Sequence, residues 1–119
     1  MTRLYIVRHG QTAWNVEGRL QGSSDQPLNE LGRAQAQRAA ASLARVLLKP
    51  CLVVSSPLSR ALDTALAIAD AVATEVHTDA RLIERAYGEW EGLTWDERYA
   101  RSPIEAERWL ARKEPRIDG

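Results

Sequence analysis

The sequence predicts an α/β domain built on parallel strands, and three observations carry that prediction. Short continuous apolar runs at residues 4–7 and 51–54 each end in turn-forming or reactive residues, as strands buried on both faces of a sheet do. An alanine-rich stretch of helical periodicity follows each run, and a weaker strand pattern returns at residues 75–77. Strand, helix, strand, helix, strand is the order that a parallel sheet with right-handed crossovers requires.

The elements are justified in turn. Leu4-Tyr5-Ile6-Val7 reads as the first strand and gives way to Arg8-His9-Gly10. Polar residues with Gly18, Gly22 and Pro27 make a long loop up to Asn29, a suitable N-cap. From residue 30 to about 48, Ala36, Ala39, Ala40, Leu43 and Leu47 recur on one helical face, and Pro50 closes the segment. After the second apolar run, Ser56-Pro57 reads as an N-cap followed by proline at the first helical position. Leu58, Ala61, Leu62, Ala65, Ile68, Ala69 and Val72 then form the cleanest helical stripe in the chain. A loop rich in glycine and tryptophan runs from 85 to 93, and the pairs Thr94 with Glu97 and Ser102 with Glu105 predict capping boxes for two short helices.

The chain has 119 residues, with 16 basic and 16 acidic side chains and a formal net charge of zero. That length suits one modest core, and the balanced charge argues against nucleic acid or an anionic membrane surface as partner. Cys51 is the only cysteine, so neither an internal disulfide nor a thiolate zinc cluster is expected. Charged residues interrupt the N-terminal apolar run too early for a signal peptide, and no run approaches membrane-spanning length. The expectation is a soluble, cytoplasmic protein.

Ligands of open parallel sheets collect beyond the carboxyl ends of the strands. There the first run delivers Arg8-His9-Gly10, and the second delivers Ser55-Ser56-Pro57 with Arg60 one turn into its helix. Two guanidinium groups and a helix start form a site for an anionic group such as phosphate. Beside an anchored phosphoryl group a neutral imidazole attacks phosphorus in line, and Gly10 lets backbone and substrate approach closely. The leaving oxygen then needs a proton, and a carboxyl group near a phosphate dianion is kept protonated at neutral pH. Glu84 is the best-placed candidate. Glu89 and Glu91 stand nearby, and each of the three has the alternative of a solvated loop charge. A cysteine phosphatase is excluded, because the position six beyond Cys51, where its arginine is needed, is Pro57. His77 reads as a surface residue of its strand, Trp90 as a wall of the substrate site, and Trp14, Trp95 and Trp109 as packing.

The run Arg8-His9-Gly10-Gln11-Thr12-Ala13-Trp14-Asn15, followed by Arg19, Gln21-Gly22, Asp25, Pro27-Leu28 and Gly32, resembles the N-terminal signature of the histidine phosphatase superfamily, the phosphoglycerate-mutase-like proteins. Ser55-Ser56-Pro57-Leu58-Ser59-Arg60-Ala61 with Thr64-Ala65 is similar to the family's second block. Leu82-Ile83-Glu84 with Gly88-Glu89-Trp90-Glu91-Gly92-Leu93-Thr94 is similar to its third. The resemblance implies a three-layer α/β/α fold with a mostly parallel sheet, incomplete in this chain. It implies that His9 is the phosphorylated nucleophile, that Glu84 is the proton donor, and that Arg8, Asn15 and Arg60 hold the phosphoryl group while Gln21 and Gly22 line the substrate side. It implies neither metal nor other cofactor.

The third block resembles the phosphatases of small phosphorylated metabolites more than the mutases, although Tyr87 also occurs in mutases and keeps that alternative open. Family members carry a second histidine on a later strand, whereas this chain has only His9 and His77. The expectation is therefore a single domain over residues 1–119, interrupted before that strand. A non-catalytic phosphate-binding module is the alternative from a different class. The unfilled slot in the sheet is expected to leave the chain weakly stable alone, or associated through its open edge with another copy or fragment.

Overall fold

The computed structural model describes residues 2–47 and 51–111. Its elements run α1 (Ala13–Glu17), α2 (Glu30–Ala44), β1 (Val53–Ser55), α3 (Ser59–Ala71), β2 (Val76–Thr78), α4 (Trp95–Arg101) and α5 (Pro103–Ala111). Single 3₁₀ turns at Ala80–Leu82 and Gly88–Trp90 lie between β2 and α4. β1 and β2 pair in parallel, with Val53 opposite Val76 and Ser55 opposite Thr78. The α3 helix is their crossover, so the predicted α/β class and parallel pairing both hold.

The core lies where α2 meets α3 and where α3 covers the sheet. Ala36 and Ala40 of α2, one turn apart, face Ala65, Ile68, Ala69 and Val72 of the α3 region, all buried. Small side chains on both helices let the backbones come close, which is what the alanine-rich stripe encodes. Asn29 caps α2 as expected, its side-chain oxygen accepting the Gly32 N–H at 2.8 Å. Thr94 and Glu97 form the reciprocal capping box of α4. Glu105 instead turns toward Arg108 on its own helix, at 3.1 Å.

Three further local expectations are corrected. Residues 4–7 form no strand, and Leu4 and Ile6 are 83% and 89% exposed. An apolar run reports that its side chains favour burial, but a strand also needs a neighbour to take its backbone hydrogen bonds, and no strand lies beside this one among the described residues. The segment between Gly10 and Asn29 contains α1, whose capping box uses Thr12 and Asn15 in place of the usual glutamate. The α3 helix starts after Leu58 rather than at Pro57. The Ser56 hydroxyl accepts only the Leu58 N–H, and the cap comes from outside the helix: Asp25 accepts the Ser59 N–H at 2.6 Å. The predicted end of the first long helix, near residue 48 and Pro50, falls partly outside the described residues.

One contact sets the position of everything upstream of α2. The backbone at Gly10 and Gln11 lies against the first turn of α2, so closely that a Cβ on Gly10 would run into the Gly32 carbonyl, and a Cβ on Gly32 into the Gln11 carbonyl. The Asn29 N–H donates to the Gln11 carbonyl at 2.9 Å, and the Gln11 N–H to the Gln35 side chain at 2.9 Å. Replacing a helical glycine by alanine ordinarily stabilises by about 1 kcal/mol. Here the clash with main chain outweighs that gain, and Gly32→Ala is expected to destabilise by about 1–3 kcal/mol. Urea denaturation measures the difference, and an unchanged or raised midpoint would disprove the close approach.

Candidate active site

Parallel strands deliver their following loops to one edge of the sheet. Beyond β1 come Ser56 and then Arg60 in the first turn of α3; beyond β2 comes the segment ending in Glu84. The loop carrying His9 is brought to the same edge by the Gly10 N–H, which donates to the Thr64 hydroxyl at 3.1 Å. Thr64 stands one turn beyond Arg60 and donates in turn to the Arg60 carbonyl at 2.7 Å.

His9 is half-buried, and its Nδ1 lies 2.6 Å from the Gly10 carbonyl oxygen. A carbonyl can only accept, so Nδ1 carries the proton and the lone pair resides on Nε2. Burial pushes the imidazole below the ordinary histidine value of 6.5, with the positive charges of Arg60 and Arg8 acting in the same direction. The bond to Gly10 and the negative charge of Glu84 oppose that shift without reversing it. His9 is therefore a neutral base at pH 7 with a defined tautomer.

Arg60 is buried at 4% exposure, and its two terminal nitrogens donate to the Ser24 and Gly22 carbonyls at 2.6 Å each. Among the described residues it forms no ion pair. Neutral carbonyls thus fix the plane of the guanidinium and leave its charge available to an anion. Arg8 and Glu84 are exposed and close enough to His9 for their charges to act on it. One carboxylate oxygen of Glu84 accepts the Arg85 N–H at 3.0 Å. Arg8, Arg60 and Glu84 thus lie within electrostatic reach of His9.

The remaining predicted residues sit differently. Asn15 and Gln21 meet through Thr12 rather than through His9. The Asn15 oxygen accepts the Thr12 N–H at 2.9 Å, and the Gln21 oxygen accepts the Thr12 hydroxyl at 2.6 Å. With both side-chain oxygens occupied, each amide retains its N–H₂ as the group left to offer, which suits an anion. Gly22 faces Arg60 through its carbonyl, and its φ of 52° and the Glu91 carboxylate and Tyr87 ring beside it leave no room for a side chain.

Sequence reasoning missed three supports of the site: Thr12, Asp25 as the α3 cap, and Glu91, which is no solvated charge. Glu91 accepts the Ser23 N–H, the Ser23 and Ser24 hydroxyls and the Tyr87 N–H. The only local signal for Glu91 is its place between Trp90 and Gly92; its serine partners lie 67 and 68 residues away. Trp90 packs edge-on to Trp109 at 6.1 Å, with Arg98 over its ring at 6.0 Å. Tyr87 meets the same Trp109 at 5.6 Å, and Trp14 fills the space beside Gly92.

Residues 4–119 match the sequence pattern of the histidine phosphatase superfamily, branch 1. The chain belongs to that superfamily. It is 48% identical over 101 residues to a glucosyl-3-phosphoglycerate phosphatase of Mycolicibacterium vanbaalenii, covering 85% of this chain and 44% of that protein. Phosphoserine phosphatase 1 of Hydrogenobacter thermophilus is 40% identical over 110 residues, which are 92% of this chain and 51% of the relative. A solved mycobacterial glucosyl-3-phosphoglycerate phosphatase in complex with VO3 superposes with a TM-score of 0.77 at 44% identity, covering 85% of this chain and 49% of that one. The chain thus spans about half the length of these relatives or less.

In this member of the superfamily, Glu91 predicts an acid-sensitive stability. Desolvation acts to raise its pKa, but the serine and backbone donors prevail and hold it at about 2 against an ordinary 4.5. A depressed carboxylate pKa stabilises the fold above the unfolded value, so the contribution is intact above 4.5 and is lost as pH falls from there toward about 2. Denaturation midpoints measured across that range should fall steeply for the wild type and less steeply for Glu91→Gln. Parallel profiles would contradict the assignment.

Proposed function

We propose that the protein is a phosphomonoester hydrolase for small phosphorylated metabolites, working through a phosphohistidine on His9. The observation that carries this reading is the hydrogen bond from Nδ1 of His9 to the Gly10 carbonyl, because it commits the proton to Nδ1 and leaves a nucleophilic Nε2 beside two arginines. The relatives above are named as phosphatases of small phosphorylated metabolites, which supports the same substrate class.

The reaction follows from the groups gathered. Arg8 and Arg60 hold the phosphoryl oxygens, with the free amides of Asn15 and Gln21 as further donors. Gly22 contributes by directing Arg60 through its carbonyl. Nε2 attacks phosphorus as the bond to the ester oxygen breaks, and Glu84, which takes up a proton when the phosphate dianion binds beside it, gives that proton to the ester oxygen, releasing the alcohol. Water then attacks the phosphohistidine, Glu84 takes its proton, the phosphorus–nitrogen bond breaks, and inorganic phosphate leaves. Charge builds on the equatorial oxygens during both transfers, where the guanidinium groups stabilise it.

In the intact protein, His9→Ala is expected to lower phosphatase kcat by more than about 10³-fold. The wild type, quenched in alkali during turnover, should carry an acid-labile, base-stable phosphoryl group that the variant lacks. Glu84→Gln should cost about 10²–10⁴-fold with an alkyl phosphate, which needs a protonated leaving group, and far less with an aryl phosphate. The acid limb of kcat/KM should lie below pH 6.5, where His9 gains its proton. Undiminished turnover by His9→Ala would overturn the reading.

A further inference from the structure

Glu91 takes no part in the chemistry above, yet its carboxylate connects the third sequence block to the group that holds Arg60. Its Oε1 accepts the Ser23 N–H at 2.9 Å, the Ser23 hydroxyl at 3.0 Å and the Tyr87 N–H at 3.1 Å, while Oε2 accepts the Ser24 hydroxyl at 2.6 Å. The segment so gripped is the one whose Gly22 and Ser24 carbonyls receive the two terminal nitrogens of Arg60. That segment is neither helix nor strand, so no regular backbone ladder fixes the direction of its carbonyls. Its internal bonds run from the Ser24 N–H to the Gln21 carbonyl at 2.9 Å and from the Gln26 N–H to the Ser24 carbonyl at 3.1 Å. These close a turn whose flanks are tied at Leu20, which exchanges backbone bonds with Gly92 and Leu93, and at Asp25, which accepts the Ser59 N–H at 2.6 Å; between those flanks it is Glu91 that holds Ser23 and Ser24.

We infer that Glu91 is a positioning residue for Arg60: by holding Ser23 and Ser24 it aims the Gly22 and Ser24 carbonyls, and through them the guanidinium plane, at the phosphoryl site. The inference rests on Arg60 being a phosphoryl-binding group, as proposed above. Four donors converge on one carboxylate: the Ser23 N–H belongs to the same peptide as the Gly22 carbonyl, the Ser24 hydroxyl to the residue whose carbonyl also accepts from Arg60, and the Tyr87 N–H to the turn that leads back to Glu84, with the Ser23 hydroxyl as the fourth. Glycine at position 22 suits the same arrangement, because its φ of 52° disfavours any side chain and a Cβ there would meet the Glu91 carboxylate and the Tyr87 ring. A displaced loop would swing two acceptors at once, and a displacement of about 1 Å in such a group can cost about 10²-fold in rate.

The experiment compares Glu91→Ala and Glu91→Gln in the intact protein by three readouts: kcat/KM on a phosphomonoester, calorimetric binding of inorganic phosphate, and the NMR-detected titration of His9. The charged groups acting on His9 are Arg60, Arg8 and Glu84, and those acting on Arg60 are Glu84, Asp25 and Glu91. When Arg60 is displaced, His9 loses a neighbouring positive charge, so its titration midpoint should rise toward 6.5. Glu91→Ala is expected to show that rise, about tenfold weaker phosphate binding and about 10²-fold lower kcat/KM.

Glu91→Gln retains one oxygen for the three donors on Oε1, and the Ser24 hydroxyl can turn to accept from the amide, so it should restore most of all three. A folded Glu91→Ala protein with an unmoved His9 midpoint and unchanged phosphate affinity would overturn the inference, even if its melting temperature fell. Should Glu91→Ala fail to fold, the pair Ser23→Ala and Ser24→Ala removes two of the donors and should move both readouts in the same direction by less. No movement there overturns it equally. A wild type without phosphatase activity would defeat the proposed function, while the His9 titration would still decide the role of Glu91.

Discussion

The approach of two backbones at Gly10 and Gly32 is the constraint on which the site depends. Neither residue has a side chain to hold the segments apart, so the loop bearing His9 rests on the first turn of α2 main chain to main chain. Hydrogen bonds from Asn29 and to Gln35 lock that crossing, and the bond from Gly10 to Thr64 ties it to α3. The imidazole is thereby carried by two packed helices rather than by its own loop. Rigidity of that kind is what the in-line attack proposed for His9 would require, because a nucleophile must hold its line while charge moves to the oxygens.

Electrostatics complete what packing begins. The buried guanidinium of Arg60 is satisfied by neutral carbonyls, so its hydrogen bonds are made while its charge is not cancelled. Glu91 shows the complementary solution: a carboxylate surrounded by donors that carry no charge, which keeps it ionised without drawing an arginine away from the site. No buried side-chain polar atom among the described residues lacks a partner. A network satisfied throughout holds its loops in one geometry, and here those loops are the ones that aim Arg60.

Much of this was legible in the chain. The helical stripe of α3, the alanine face of α2 and the Asn29 cap are local patterns, and each appears where expected because propensity and burial agree there. His9, Arg60 and Glu84 follow the ends of apolar runs, and the parallel pairing of β1 and β2 brings Arg60 and Glu84 to the edge where His9 lies. Residues 4–7 show the limit of such reading. Their apolarity is a local property, but strand formation depends on a neighbour, and the pattern cannot report whether one is present. The start of α3 shows the same limit, since Ser56 and Pro57 have the right chemistry for a cap, yet Asp25, distant in sequence, makes it.

By itself the sequence determined the class of fold, the two long helices with the parallel strands around the second of them, the ordered blocks that mark the superfamily, and the charged or basic residues Arg8, His9, Arg60 and Glu84 as candidates for one site. Those depend on periodicity, capping chemistry and residue type, which are written along the chain. Only the tertiary structure decided that Asn15 and Gln21 join through Thr12, that Gly22 serves Arg60, and that Glu91 is held by donors instead of solvent. Each of these is a hydrogen bond whose significance depends on direction and on a partner brought close by the packing of α2, α3 and the loops. Spacing along a chain specifies neither.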